Sequence, residues 1–576
     1  MVEEPKAAGK PAAKTAAKPA VQTARKDPKG VGSGRRRRGA VRSVLAGCGI
    51  AVVAGAVVAA GSVTPQISAA ATVKPPVAAL PAGQSVTNCP GPALLLDGST
   101  GGTDPQFSAA SSSSSSAVTA MVLSSAGGIL PHSILAPLPG GTPLATLAGA
   151  PDAGSASTGS TPSPGSSPST VASPSTGAAG DQRKAVVLGN QAVSDASVLR
   201  ADPVDAQRAA VGAVMSYSAA DGDLAGLGVA GCQQPSNDLW LAGASTTVGR
   251  TAVLNISNSS QTAATVNLDL YGDDGPLQAP GAKGLLVPPG TNRAVVLAGL
   301  APGQSGLSVH LKSTGGPVAA TVQQSVLRGL TAGGVDVIAP ANVPAARQVI
   351  TGVAVQDPAL AASLAAQSGY ADAAAALQVT VPGTADALVQ VKVYGSGGQQ
   401  PLPNGGVFTV KAGAVSELAL TGLPAGTYTL DVGSDISFTA TARVVSGLKT
   451  GDAVDFGYSA AGAKLGDGQL ITVPQGPVSA LSFGMPAGRA KVSLTPVTAA
   501  GKLLAVKTVD VAGGTTVTVD PAQLAGEAVA GFILSATGDA VYGAQVLGSK
   551  DKAAVSVLGV PRGVSGPQDL KVVLGY

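Results

Sequence analysis

The chain has 576 residues, of which 12% are charged and 3% aromatic, while Gly and Pro together number 120, about a fifth against a usual eighth. So little charge beside so much Gly, Pro, Ala and Val excludes a coiled coil and a single helical enzyme. Two His, three Cys and one Trp leave little material for metal, thiol or imidazole chemistry.

The charge is unevenly placed. The first 42 residues carry 12 Lys and Arg against Glu3, Glu4 and Asp27, a net +9, which leaves −5 for the rest. This arm repeats Lys-Pro and Ala-Ala-Lys units, ends in Arg35 to Arg38, has no aromatic residue, and reads as a disordered basic arm over 1–43. Val44 to Val63 follows, twenty residues without a charge. At ~1.5 Å per residue a helix of that length spans about 30 Å, the thickness of a bilayer core. Positive charge before the segment predicts a cytoplasmic arm, a single-pass transmembrane helix over 44–63 and extracytoplasmic C-terminal domains at the cell membrane. Two alternatives stay open. Leu45-Ala46-Gly47-Cys48 matches a lipobox, although the apolar run follows Cys48 instead of preceding it. Ser68-Ala69-Ala70 and Ala69-Ala70-Ala71 offer a signal-peptidase pattern behind an unusually long n-region.

Beyond the anchor, the serine run Ser111 to Ser116 and the Ser, Thr, Pro, Gly and Ala stretch from Pro151 to Gly180 read as a disordered insertion over about 99–183, since they cannot bury enough apolar surface to offset ordering entropy. Its hydroxyls are candidate glycosylation acceptors, with a solvated linker as the plainer reading. Strand candidates at Ala93 to Leu96, Val118 to Leu123, Ala185 to Leu188 and Val211 to Tyr217 make 72–235 a partial β-domain. Cys89 and Cys232 sit at its two ends and are the only Cys on the outer side, which predicts a disulfide between them. Zinc would need ligands that two distant His cannot supply.

From Lys184 onward, period-two runs such as Arg250 to Asn258, Ala263 to Tyr271, Leu307 to Leu311 and Val318 to Leu327 are separated by Gly, Pro, Asp and Asn turns. The fold class read from this is all-β, with tandem antiparallel β-sandwich domains of the Ig-like kind. The unit recurs. Leu270-Tyr271-Gly272-Asp273-Asp274-Gly275 is echoed by Val393-Tyr394-Gly395-Ser396-Gly397-Gly398, and Gly299 to Gly303 by Gly422 to Gly426, both at an offset of 123. A weaker copy lies about 100 residues on, where Ala512-Gly513 matches Ala412-Gly413. Sandwiches are expected over 236–345, 375–460 and 470–576. A linker over 346–374 carries a short helix opened by Asp357-Pro358.

The basic arm, one anchor, Cys89-Pro90-Gly91-Pro92, Gly222-Asp223-Leu224-Ala225-Gly226-Leu227, Gly231-Cys232, Trp240 and Val248-Gly249-Arg250-Thr251 together resemble an actinobacterial family of exported, membrane-anchored proteins carrying a domain of unknown function. The likeness takes in Gly315 to Val318, Gln323 to Val326 and Gly333-Gly334-Val335-Asp336, over roughly 85–345. It implies location and organisation and brings no catalytic residues.

Catalytic, cofactor-binding and metal-ligating residues are therefore expected to be none. Alternation in Leu307 to Leu311 puts His310 on the face opposite the apolar residues, as an exposed strand histidine. His132 lies in a Pro-rich loop without a nearby acid, and no nucleophile elbow is present for a serine triad. Asp221-Gly222-Asp223, Asp273-Asp274-Gly275 and Asp467-Gly468 read as turns, the first also as a partial calcium site. The functional expectation is a non-catalytic cell-envelope protein, a spacer or docking scaffold for an envelope protein or wall polymer. The alternative is a carbohydrate-binding or carbohydrate-processing module, disfavoured because Trp240 stands alone and core burial is its default. The arm is expected to meet anionic inner-leaflet lipids, and no nucleic acid is expected, for want of stacking residues.

Overall fold

The computed structural model describes residues 77–80, 82–95, 110–149, 183–563 and 568–571. The arm, the run Val44–Val63 with Cys48, the cleavage sequences and the stretch Pro151 to Gly180 lie outside the described residues. Among the described residues no helix is long and apolar enough to cross a membrane.

The chain is all-β, and its strands form four copies of one eight-stranded unit, each made of two antiparallel sheets. In the first unit the strands are Ser85–Cys89, Ser115–Leu123, Ser133–Pro137, Ala145–Ala148, Ala185–Ala192, Ser197–Ala201, Val211–Ala219 and Gly226–Gly231. Counted within the unit, one sheet has the order 1-6-3-4 and the other 5-2-7-8. The units beginning at Asp238, Ala345 and Gln469 repeat both orders. In the second and third units a short extra strand, Leu285–Val287 or Val407–Val410, joins the third strand. In the third unit, strands six and seven are one continuous strand, Gly426–Gly447, whose first half pairs in one sheet and second half in the other. Strands Val77–Leu80 and Gln568–Lys571 pair antiparallel and bring the two ends of the described chain together.

Alternation makes each sheet two-faced. In Ala264–Gly272, Ala264, Val266, Leu268 and Leu270 point into the core while Thr265, Asn267 and Asp269 point away. Each unit's two sheets enclose such a core, and each fully buried Leu, Ile or Val in it contributes about 2 kcal/mol. The offset of 123 seen in the sequence is a structural register: Tyr271 pairs with Pro276 and Gly272 with Gly275, as Tyr394 pairs with Gln399 and Gly395 with Gly398.

Two expectations change. The span 99–183 read as a disordered insertion contains the strands Ser115–Leu123, Ser133–Pro137 and Ala145–Ala148, so the first unit is complete where 72–235 was expected to be partial. Within the serine run, Ser111, Ser112 and Ser113 all donate to the Asp221 carboxylate and Ser115 begins a strand, so hydroxyls supply the order that apolar burial does not. The expected linker 346–374 is mostly structure. It holds the rest of strand Ala345–Val355, the first of its unit, and the helix Pro358–Ala365, which Asp357 caps by accepting from the N–H groups of Ala359 and Leu360. Asp372 then pairs with Arg250 and Arg328 of the preceding unit.

The disulfide Cys89–Cys232 joins the first strand of the first unit to the residue after its eighth, 143 positions on. Closing that loop stabilises by at most about 5 kcal/mol in the chain-entropy treatment. Cys89→Ser and Cys232→Ser should each lower the melting temperature, and the double variant should fall no further than either single one. Titration of Cys89 and Cys232 as free thiols in the oxidised protein would contradict the pairing.

Candidate functional site

The unused face of each 1-6-3-4 sheet lies on the 5-2-7-8 sheet of the next unit. Between the second and third units Ser308 and Thr380 share a buried hydrogen bond of 2.7 Å. Between the third and fourth, Thr516 donates to Tyr394 O at 2.6 Å. Met121, Leu123 and Ala185 of the first unit form one apolar cluster with Leu470, Val497 and Ile533 of the fourth. Leu94 exchanges two hydrogen bonds with the Gln323 amide between the first and second. The four joints close a ring.

The eighth strands, Gly226–Gly231, Thr331–Ile338, Val454–Ala460 and Val555–Gly559, meet one another around the inside of that ring. Asp455 of the third unit is 1% exposed and accepts backbone N–H groups from every other unit: Leu227 at 3.0 Å, Val335 at 3.2 Å and Val555 at 3.1 Å. Asp336 of the second unit, 2% exposed, accepts from Tyr458 N–H at 2.8 Å and from the Ser556 hydroxyl at 3.0 Å. Ser556 in turn accepts the Val229 N–H at 3.1 Å. Two carboxylates and one hydroxyl thus bind all four units without a long side chain. Close approach is obligatory here. At Gly334, with φ +106°, a Cβ would lie 2.3 Å from Asp455 Oδ1, and at Gly226 one would lie 2.8 Å from the same oxygen.

Burial raises the pKa of both acids. Asp336 is pushed up to about 7 by desolvation, against the hydrogen bonds it accepts. Asp455 is raised well above the usual carboxylate range by desolvation and, in lesser part, by the charge of Asp336. Two acids in one dry site disfavour double ionisation. The arrangement can hold units together and store a proton. Among the described residues no three His, Cys, Asp or Glu are placed to hold a metal ion.

The structure corrects the reading of His310. It is 7% exposed, stacks on Trp240 with ring centroids 3.9 Å apart, and bonds Asp238 through Nε2 at 3.0 Å, with Asp269 at 3.7 Å from Nδ1. Alternation assigned the correct face, but on that face the Trp240 ring covers the imidazole. The third unit carries the matching positions with exchanged charges: Arg347 pairs with Asp431 along the same diagonal, and Lys392 stands opposite Asp431 as Asp269 stands opposite His310. A cross-strand charge pattern repeated without the histidine describes joint architecture. Trp240 is 5% exposed on the same outer face, while its neighbours Leu239 and Leu241 fill the core. His132 bonds Ala148 O through Nδ1 at 2.9 Å, away from both acids of the hub. Asp221, held by the serines, has a lowered pKa, and Asp273 receives the N–H groups of Ser305 and Gly306, so both acids serve turns.

The hub acids were not singled out as a site by sequence, although a signal exists. Val335-Asp336-Val337, Val454-Asp455-Phe456 and Val555-Ser556-Val557 place one polar residue between apolar ones at the end of three successive units.

Comparison with known proteins agrees with the family character of this repeat: the match to a family model spans residues 187–522 and takes in both hub acids. The chain belongs to DUF5719, a family of unknown function. The DUF5719 match begins later than the resemblance read from the motifs and runs on through the third unit into the fourth. No curated protein and no solved structure matches the chain.

The pH dependence of the hub has a definite sign. A carboxyl whose folded pKa is raised gives full stability below its unfolded pKa, near 3.8, and loses it as pH rises toward the folded value of about 7. For Asp336 the loss is on the order of 1 kcal/mol per pH unit between those limits and levels off above pH 7. Asp336→Asn mimics the neutral acid, so denaturant melts at pH 4 to 9 should show that component of the slope missing. An identical slope in the variant would place the proton elsewhere.

Proposed function

We propose that the protein is a non-catalytic, membrane-anchored cell-envelope protein whose exported units serve as a rigid spacer or docking scaffold. The observation that carries this reading is the hub: units bonded to one another through Asp336, Asp455 and Ser556 cannot turn independently, which suits a body that presents surfaces at fixed positions. The +9 arm followed by Val44 to Val63 supports a retained anchor with the arm in the cytoplasm, where it would meet anionic lipids, and the disulfide supports an oxidising outer compartment. The motif resemblance supports an actinobacterial, exported lineage, and the paired sheets suit an Ig-like sandwich reading.

A deletion strain complemented with two forms tests the scaffold reading. The anchored full chain should restore the wild type, and a secreted form lacking residues 1–63 should not. Rescue by the secreted form would overturn the tethering claim. Protease added to intact cells should digest the C-terminal units and leave the arm protected, and the reverse pattern would invert the topology.

A further inference from the structure

The residues next to the two halves of the disulfide, Asn88 and Gln233, exchange backbone bonds: Asn88 N–H to Gln233 O at 2.7 Å and Gln233 N–H to Asn88 O at 2.8 Å. Residues paired in this way put their side chains on one face of the ladder. Cys89 fills the core of the first unit, so alternation turns Asn88 outward, with the Gln233 side chain beside it. Both amides meet the second unit. There Leu254 and Ile256 fill the core, so Asn255 and Ser257 of the same strand turn the other way, with Thr321 opposite Asn255 and Asn292 opposite Ser257. These six polar side chains line one small cavity, and no charged residue lines it.

Asn88 is 2% exposed, and neither its Nδ2 nor its Oδ1 has a hydrogen-bond partner among the described residues. The Nε2 and Oε1 of Gln233 are likewise covered and without a partner there. Buried amide groups in a folded protein are almost always paired, so these four atoms point to a ligand that both donates and accepts. An ion of either sign would engage only the nitrogens or only the oxygens. An apolar group would engage neither. The cavity volume of about 10 Å³ leaves room for one water molecule, which donates twice and accepts twice and can therefore bond both amides at once.

We propose that this cavity is a built water site: one ordered water, held by the Asn88 and Gln233 amides, bonds the first unit to the polar wall of the second, and the disulfide between the neighbouring cysteines holds the two amides in place for it. The joint is thereby tied to the redox state of Cys89 and Cys232. The site depends on neither the anchor nor the scaffold reading, and its failure would leave both standing.

The direct test is a crystal structure of the oxidised full chain that resolves ordered water. One water within hydrogen-bond distance of both amides is expected, and a cavity without such density would overturn the proposal. Melting of variants supplies an independent sign. Asn88→Leu nearly conserves volume and removes both amide atoms: with a bonded water it should melt lower than the wild type, by about 2 °C, whereas dry and unpaired amides would make it melt higher. Asn88→Ser keeps a hydroxyl for the water and should fall less than Asn88→Leu. Gln233→Leu should also melt lower, and the double variant Asn88→Leu with Gln233→Leu should fall by less than the sum of the two, because a shared water is lost only once. In a Cys89→Ser background the decrement from Asn88→Leu should shrink, since the amides are no longer pinned. A higher melting temperature for Asn88→Leu, or strictly additive decrements, would overturn the water site, and an undiminished decrement in Cys89→Ser would overturn the part given to the disulfide.

Discussion

The arrangement depends on hydrogen bonds that no unit can satisfy by itself. The N–H groups of Leu227, Val335 and Val555 belong to three different units and find their acceptor in a fourth, at Asp455. An unpaired buried N–H costs about 1 to 3 kcal/mol, so each of these groups penalises a unit that slides out of register while the centre stays dry. Apolar joints alone tolerate sliding, because dispersion and desolvation have little direction. Directed bonds to a carboxylate do not. The ring is therefore fixed in register by polar atoms at its centre, while apolar surface further out, such as the cluster of Met121, Leu470 and Ile533, adds cohesion.

Such a centre imposes conditions on sequence. Strands whose backbones must bond one shared carboxylate need small residues where they cross, which accounts for Gly226 and Gly334 and for Gly457, where a Cβ would lie 3.1 Å from the Ser556 backbone. It also demands inequality among the copies. Four aspartates in one dry site would repel one another; two aspartates, a serine and no acid on Gly226–Gly231 supply acceptors with less charge to bury.

Divergence at the joints follows the same logic. The outer face of each 1-6-3-4 sheet must complement the next unit, and the same cross-strand lattice carries Asp238, His310 and Asp269 in one copy and Arg347, Asp431 and Lys392 in another. Charge sign is exchangeable as long as each diagonal stays paired.

Local order was legible in the residues. Period-two alternation located the strands, Asp357-Pro358 located a helix start, and the matching Tyr271 and Tyr394 hairpins revealed a repeat whose register holds to the residue. Cys89 and Cys232 could be paired because no other Cys lay outside the predicted anchor. These features depend on chain neighbours or on a scarce residue type, and both are written along the sequence. The burial of His310, the ordering of Ser111 to Ser113 by Asp221, the first strand hidden in an expected linker and the meeting of Asp336 with Asp455 were decided only by tertiary structure. Alternation states which face of a sheet turns from its own core. Whether that face meets water or another unit depends on how the ring closes, and closure joins residues hundreds of positions apart through contacts that leave no period in the sequence.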